Sequence, residues 1–224
     1  MDIPEVKIAV IGGSAIMGVD FPGALDGVEV HEEGVVYGTP FGPSAPFTTA
    51  SVGGIEFLYV PFHGITQEIR NVEPDSAGER LFYVLMKAGV TKIIGTALCG
   101  STNSLLDPTD VVIPDGFVDY TTKRPQSLTR SLKRKGVEVE STMYRLHEVF
   151  FAREIGACYA ALELVSNYGE GLVSREWSGH DAFGDFLDRW SPPAAEAILH
   201  ALRNMDVEDD SCGCSRYRWR TIIE

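Results

Sequence analysis

Three apolar runs, each ending in small or polar residues, constrain this chain more than any other feature. They are "VKIAVIGGS" at 6–14, "VTKIIGTALCGS" at 90–101 and "ACYAALELVSN" at 157–167. Each is too short to span a bilayer and too continuously apolar for a strand with one wet face. Each therefore reads as a strand buried on both sides. Helical patterns lie between them. Residues 75–88 place Leu81, Phe82, Leu85 and Met86 on one face, with Asp75 or Ser76 as cap and Gly89 as stop. Residues 127–135 and 146–155 read as helices followed by glycine. Residues 180–190 and 192–204 read as two closing helices, the second with prolines in its first turn. "FTTASV" and "IEFLYVPF" form a β-hairpin around Gly53-Gly54. "TPFGPSAPF" is turn-rich, and "DVVIPDGFVDY" is a strand broken by Pro114 and Gly116. Strands alternating with helices predict an α/β fold with a mixed, largely parallel sheet. With 44% hydrophobic residues in 224, one core can close. We expect one domain over residues 1–205 and a C-terminal tail over 206–224.

Charge narrows the partners. The formal net charge is −13, with 32 acids against 19 bases. The only dense basic cluster is "RSLKRKG", so a nucleic-acid partner is not expected. No run of 18 apolar residues occurs, and "MDIPEVK" lacks the apolar region of a signal peptide. The expectation is a cytoplasmic protein that does not enter a membrane. Cys99 and Cys158 lie in apolar runs and read as buried thiols. "CGC" at 212–214 offers two thiols to a metal with a third ligand, or to a redox pair. C-x-C alone lacks the paired spacing of a zinc site, so two thiols in a tail is the preferred reading, and no metal is expected.

Function in such folds gathers at the C-terminal ends of strands. Gly12-Gly13-Ser14 would present backbone amides and a hydroxyl to an anion, though a tight strand exit looks the same. His63 follows "YVPF" at another strand end, where it can donate to a phosphate or a sugar or simply be structural. The small residues of "TALCGS" at 96–101 allow a second backbone loop to approach a ligand. Asn167 ends the third run. Its amide offers donors and acceptors to a purine edge, or caps a turn.

Taken in order, "VKIAVIGGS", "YGTPFG", "FHG", "GTALCGS", "DVVIPDGFVDYTTKRPQS" and "HEVFFAREIGACYAALELVSNYG" resemble the trimeric purine nucleoside phosphorylases. The methylthioadenosine phosphorylases are the most similar branch. The resemblance implies a single-domain α/β sandwich, here shortened after residue 128. It implies cleavage of a purine nucleoside by inorganic phosphate, to a base and a sugar 1-phosphate, with phosphate as co-substrate and no other cofactor. By the same resemblance Ser14, His63 and the backbone of Ala97 and Leu98 face phosphate. Met143 lies against the sugar, Asn167 meets the base, and His180 stands near the sugar 5′-hydroxyl. His63 and Asn167 are the implied catalytic pair. Asn167 matches the branch that acts on 6-oxopurines; the methylthioadenosine branch has Asp there. Relatives are trimers, so a homo-oligomer is expected, a trimer first and a dimer second, or else a pairing with a paralogue. The apolar side chains of Phe150, Phe151, Phe183, Phe186 and Trp190 are the expected contact surface.

The chain departs from that pattern in places. Pro61-Phe62 stands where the family carries a phosphate-gripping arginine. Gln67 replaces a histidine, Tyr144 a small hydroxyl residue and Gly169 an acid. The segment bearing a Gly-Pro-aromatic base-binding motif is absent between "RPQS" and Met143. A degraded phosphate site is the expectation. The alternatives are a phosphate-independent nucleoside hydrolase or transferase, and a non-catalytic ligand-binding homologue that partners an active paralogue.

Overall fold

A computed structural model describes residues 2–62, 74–116, 127–137, 147–169, 171–172 and 179–214. Strand β1, Ile8–Gly12, is buried along its whole length. It cannot face water on either side, so it lies in the middle of a sheet. The strands that follow are β2 (Val28–Val35), β3 (Gly38–Thr39), β4 (Gly42–Pro43), β5 (Phe47–Val52), β6 (Ile55–Pro61), β7 (Lys92–Ser101), β8 (Val111–Val112) and β9 (Cys158–Tyr168). Among the described residues they form a seven-stranded sheet in the order β2-β5-β6-β1-β7-β9-β8, and a separate β3-β4 pair. The four central strands β6, β1, β7 and β9 run parallel. β2, β5 and β8 are antiparallel additions at the flanks. The sheet is thus mixed, as the sequence predicts.

Alternate residues of β1 feed two cores. Ala9 and Ile11 join a cluster with Leu81, Phe82 and Leu85 of helix α1 (Pro74–Ala88), Leu132 of α2 (Leu128–Arg134) and Phe151 of α3 (His147–Glu154). Ile8 and Val10 join Ala195, Ile198, Leu199 and Leu202 of α4 (Gly179–Arg203) on the other face. Helices on both faces of one sheet make the α/β sandwich. Each fully buried Leu, Ile or Phe contributes about 1.5–3 kcal/mol, so the two faces, not the connecting loops, hold the strand ends in place.

Four local expectations change. β2 was not foreseen. Its residues are mostly exposed, and "VEVHEEGV" carries too few apolar positions to signal a strand. It forms because β5 offers an unpaired edge. The two closing helices are one, α4, which runs through Pro192 and Pro193. Both prolines are exposed, as are residues 188 and 189, whose carbonyls lose their amide partners on the side of the helix away from the core. Helix α1 begins at Pro74, so Asp75 and Ser76 stand in its first turn, and their side chains lie outside the described residues. Phe151 is 3% exposed and stacks on Phe82 with ring centroids 5.2 Å apart, so it belongs to this chain's own core and not to a contact surface.

Two polar contacts lock the layers. The buried Thr96 hydroxyl of β7 accepts the Gly13 amide at 2.7 Å and reaches toward the Ile11 carbonyl at 3.5 Å. It fastens the end of β1 to its neighbour. On the helical face, Glu154 ends α3, and its carboxylate sits at the start of α2. It accepts the Ser127 hydroxyl at 2.6 Å, the Leu128 amide at 2.7 Å and the Thr129 amide at 3.4 Å. Burial pushes the carboxyl pKa up, and these donors oppose that rise.

Thr96→Val leaves the Gly13 amide buried without its acceptor and is expected to cost about 1–3 kcal/mol in urea unfolding, whereas Thr96→Ser retains most of the stability. Glu154→Ala uncaps α2 and separates it from α3. It is expected to cost about 1–2 kcal/mol in the same assay.

Candidate active site

β1 and β7 are adjacent and parallel, and β1 ends at Gly12 while β7 runs on to Ser101, so the chain leaving β1 lies against the later part of β7. After Gly12 the chain turns through Gly13 into a short 3-10 turn, Ser14–Ile16. The Ser14 hydroxyl oxygen accepts the Leu98 amide at 3.2 Å. Ser14, Ala97 and Leu98, three of the four residues the resemblance assigns to phosphate, therefore meet at one point. All three are half-buried, so the point stays open to a ligand. An anion arriving here would meet the hydroxyl hydrogen of Ser14, which is free to donate because the Leu98 N–H binds only the hydroxyl oxygen.

Gly12 is glycine for a reason the sequence did not reveal. A Cβ there would lie 2.6 Å from Cε2 of Tyr59, so the ring of β6 forms the floor under the turn. Tyr59 packs in turn on Phe21, with centroids 4.9 Å apart. Burial, with Asp20 nearby, pushes the Tyr59 phenol well above its ordinary pKa, so the floor is neutral. Beside it, the Phe62 amide donates to the Gly12 carbonyl at 2.9 Å. The Phe62 side chain packs against the core beneath α1–α3.

The base-side residue docks on the far side of β7. Gly100 pairs with Asn167 just after a register shift between Cys99 and Gly100. A Cβ on Gly100 would approach Asn167 Nδ2 to 3.2 Å, so the small residue leaves room for the amide. Asn167 Nδ2 donates to the Tyr168 carbonyl at 2.8 Å, and its Oδ1 accepts the Ser166 hydroxyl at 2.7 Å. A carbonyl only accepts, so Tyr168 determines which end of the amide faces it. One N–H and one lone pair of Asn167 remain to present outward. The Ser166 hydroxyl also reaches the Cys99 carbonyl at 3.3 Å and so links β9 to β7. Further along, the Tyr168 phenol donates to Asp107, and the Gly169 amide donates to the Ser101 carbonyl at 2.6 Å. Burial and the adjacent Glu163 push the Cys99 thiol up, which makes it a poor nucleophile. Two strand spacings, about 10 Å, separate β1 from β9, enough for a sugar between an anion and a base.

His63 and Met143 lie outside the described residues. His180 is the second residue of α4, and its side chain also lies outside them. Ser166 is the residue the structure adds beside Asn167, through the hydrogen bond to its Oδ1. Its only sequence signal was its place beside Asn167 at a strand end.

One group of metal-ligand type stands among the described residues: Cys158, Cys212 and Cys214, at the opposite ends of the strands from Asn167. Burial, with the other two thiols adding, pushes Cys158 up to about 12, while its hydrogen bond to Cys158 draws Cys212 down.

No family model matches the chain. It is 27% identical to the S-methyl-5'-thioadenosine phosphorylase of Pyrococcus abyssi over an alignment of 264 positions that covers 93% of this chain and 96% of that one. A shorter match, 35% identical over 119 residues, links 53% of the chain to 42% of the enzyme of the same name from Thermococcus kodakarensis. The probable 6-oxopurine nucleoside phosphorylase of Moorella thermoacetica is 25% identical, covering 94% of this chain and 97% of its own. Among solved structures, methylthioadenosine phosphorylase from Schistosoma mansoni, in complex with adenine, superposes with a TM-score of 0.68 at 20% identity, over 95% of this chain and 96% of that one. The mixed sheet with helices on both faces and these similarities agree: the chain has the nucleoside phosphorylase fold and is a low-identity homologue of the methylthioadenosine and 6-oxopurine nucleoside phosphorylases.

Proposed function

We propose that this chain cleaves the N-glycosidic bond of a purine nucleoside with inorganic phosphate. The observation that carries the reading is the docking of Ser14 on the Leu98 amide, with Asn167 held opposite Gly100 two residues further along the same strand. In the reaction the bond from C1′ to the base nitrogen breaks and its electron pair leaves with the base. A phosphate oxygen then bonds to the cation-like C1′. Ser14 and His63 hold the anion below the sugar, and Met143 and His180 border the sugar itself. Asn167 meets the negative charge that grows on the base, which is where stabilisation counts toward rate. Phosphate is the co-substrate, and the reading requires no other cofactor.

Phosphate-independent hydrolysis is the second reading. It is favoured by Phe62, whose half-buried side chain packs against the core where the resemblance would have a guanidinium. Product analysis decides between them: phosphorolysis yields ribose 1-phosphate in proportion to added phosphate, and hydrolysis yields free ribose without it. A homo-oligomer completes the proposal. Leu105 at 86%, Ile113 at 61% and Val111 at 52% exposure lie around the β8 edge and support burial against another subunit. A trimer is the first expectation, and light scattering tests it. A cytoplasmic setting is supported by the free thiols and the acidic charge. Among the described residues no helix is long and apolar enough to cross a membrane.

Saturation with phosphate should require millimolar rather than micromolar concentrations. Ser14→Ala should raise the phosphate KM by about five- to tenfold, the value of one neutral hydrogen bond. Phe62→Arg should lower it by about tenfold or more, the value of a charge-assisted one. On the base side, calorimetry should find hypoxanthine or guanine bound more tightly than adenine. Asn167→Asp should reverse that order, because a carboxylate keeps acceptors and loses the donor. Adenine bound tenfold tighter by the native chain would contradict this assignment.

A further inference from the structure

Cys158 opens β9 at the pole of the sheet away from the candidate active site. After α4 the chain folds back toward that pole. Met205 and Val207 pack on the second core, and Lys92 Nζ donates to the Asp209 carbonyl at 2.6 Å. Gly213 then adopts φ +69°, a conformation that suits glycine and turns the chain between the two tail cysteines. Cys158 Sγ lies 3.0 Å from Cys212 Sγ, and the three sulfurs of Cys158, Cys212 and Cys214 all fall within 4.8 Å of one another. The Cys214 amide donates to Cys212 Sγ at 3.4 Å, as an amide does toward a sulfur that carries negative charge. All of these cysteines are free thiols.

Apolar packing does not explain the convergence, since Cys212 is exposed. A metal would. Four-coordinate zinc with bonds of about 2.3 Å sets its sulfur ligands about 3.8 Å apart, so Cys158 and Cys212 would part slightly from 3.0 Å to admit it, within the 4.8 Å that the cluster spans. A disulfide would use two of the sulfurs and leave the third without a role. A cavity of about 240 Å³, lined by Lys7, Lys92, Gly156, Asp209 and Asp210 among others, adjoins Cys158 and leaves space for a fourth ligand. Lys7 and Lys92 line that cavity together with Glu208, Asp209 and Asp210, so the surroundings are polar and of mixed charge.

We propose that Cys158, Cys212 and Cys214 form a binding site for a thiophilic ion of the zinc class, with water in the fourth position, and that the ion staples the tail to the start of β9. Each thiol gives up its proton on binding, so one Zn²⁺ displaces three protons. Only thiolate ligands from a folded tail complete the site, so occupancy and tail order are coupled.

The test uses the full-length reduced chain. Titration with Co²⁺ should reach one equivalent and show a sulfur-to-cobalt charge-transfer band, which Zn²⁺ then abolishes. Zn²⁺ should also raise the melting temperature. Cys212→Ser, at an exposed position that leaves the core intact, should weaken Zn²⁺ affinity by at least about a hundredfold, and Cys214→Ser by a similar factor. Cys99→Ser should leave it unchanged. The proposal is overturned if the reduced chain shows no charge-transfer band, or if Cys212→Ser binds as tightly as the native chain. A reduced chain that takes up no metal, and on reoxidation yields only a Cys158–Cys212 disulfide, overturns it as well.

Discussion

The contact between the Thr96 hydroxyl and the Gly13 amide is the point on which the rest of the candidate site depends. It is buried, and a buried amide that loses its acceptor costs about 1–3 kcal/mol. That cost holds the exit of β1 against β7, and only then can the Ser14 hydroxyl reach the Leu98 amide. Tyr59 supports the same turn from below and admits no side chain at Gly12. The turn is therefore clamped from the side and from beneath before any ligand arrives. Such preorganisation lets donors act on charge without first being reordered.

Across β7 the arrangement is different in kind. Asn167 is positioned by its immediate neighbours, Ser166 and the Tyr168 carbonyl, and by the small size of Gly100. The two halves of the site draw on unequal energies. A neutral hydroxyl contributes about 0.5–1.5 kcal/mol to an anion contact, a guanidinium about 1.5–3 per bond. With Phe62 packed against the core, the anion side relies on the weaker kind. More of the rate must then come from the base side, where Asn167 meets a charge that grows only as the bond breaks.

The sheet also separates chemistry from fastening. β9 carries Asn167 near one end and Cys158 at the other, about 30 Å apart at strand rise. The thiol cluster can act on how firmly the tail closes the molecule. It is too far away to touch the reacting atoms.

Much of this was legible along the chain. β1, the β5-β6 hairpin, α1, β7 and β9 follow from apolar runs and helical spacing that need no partner to be recognised. The exit of β1 at Gly12 is marked in the sequence, but residues 96–101, expected as a loop, continue β7, and Ser14 meets Leu98 within that strand. Other features have no local signal. β2 is a strand because β5 had an open edge, and α4 crosses two prolines because that face is wet. Phe151 looked like a contact surface until Phe82 was found against it. The sequence by itself determined which segments are strands and helices, because apolar periodicity and glycine act within a few residues, but not how deeply they lie: β1 is buried throughout, whereas β9 buries only Leu162, Leu164 and Val165. Only the tertiary structure decided that Tyr59 lies under Gly12, that Thr96 takes the Gly13 amide, and that Cys158 meets thiols 54 and 56 residues later. Those contacts are made by neighbours in space, and their order along the chain carries no trace of the distance between them.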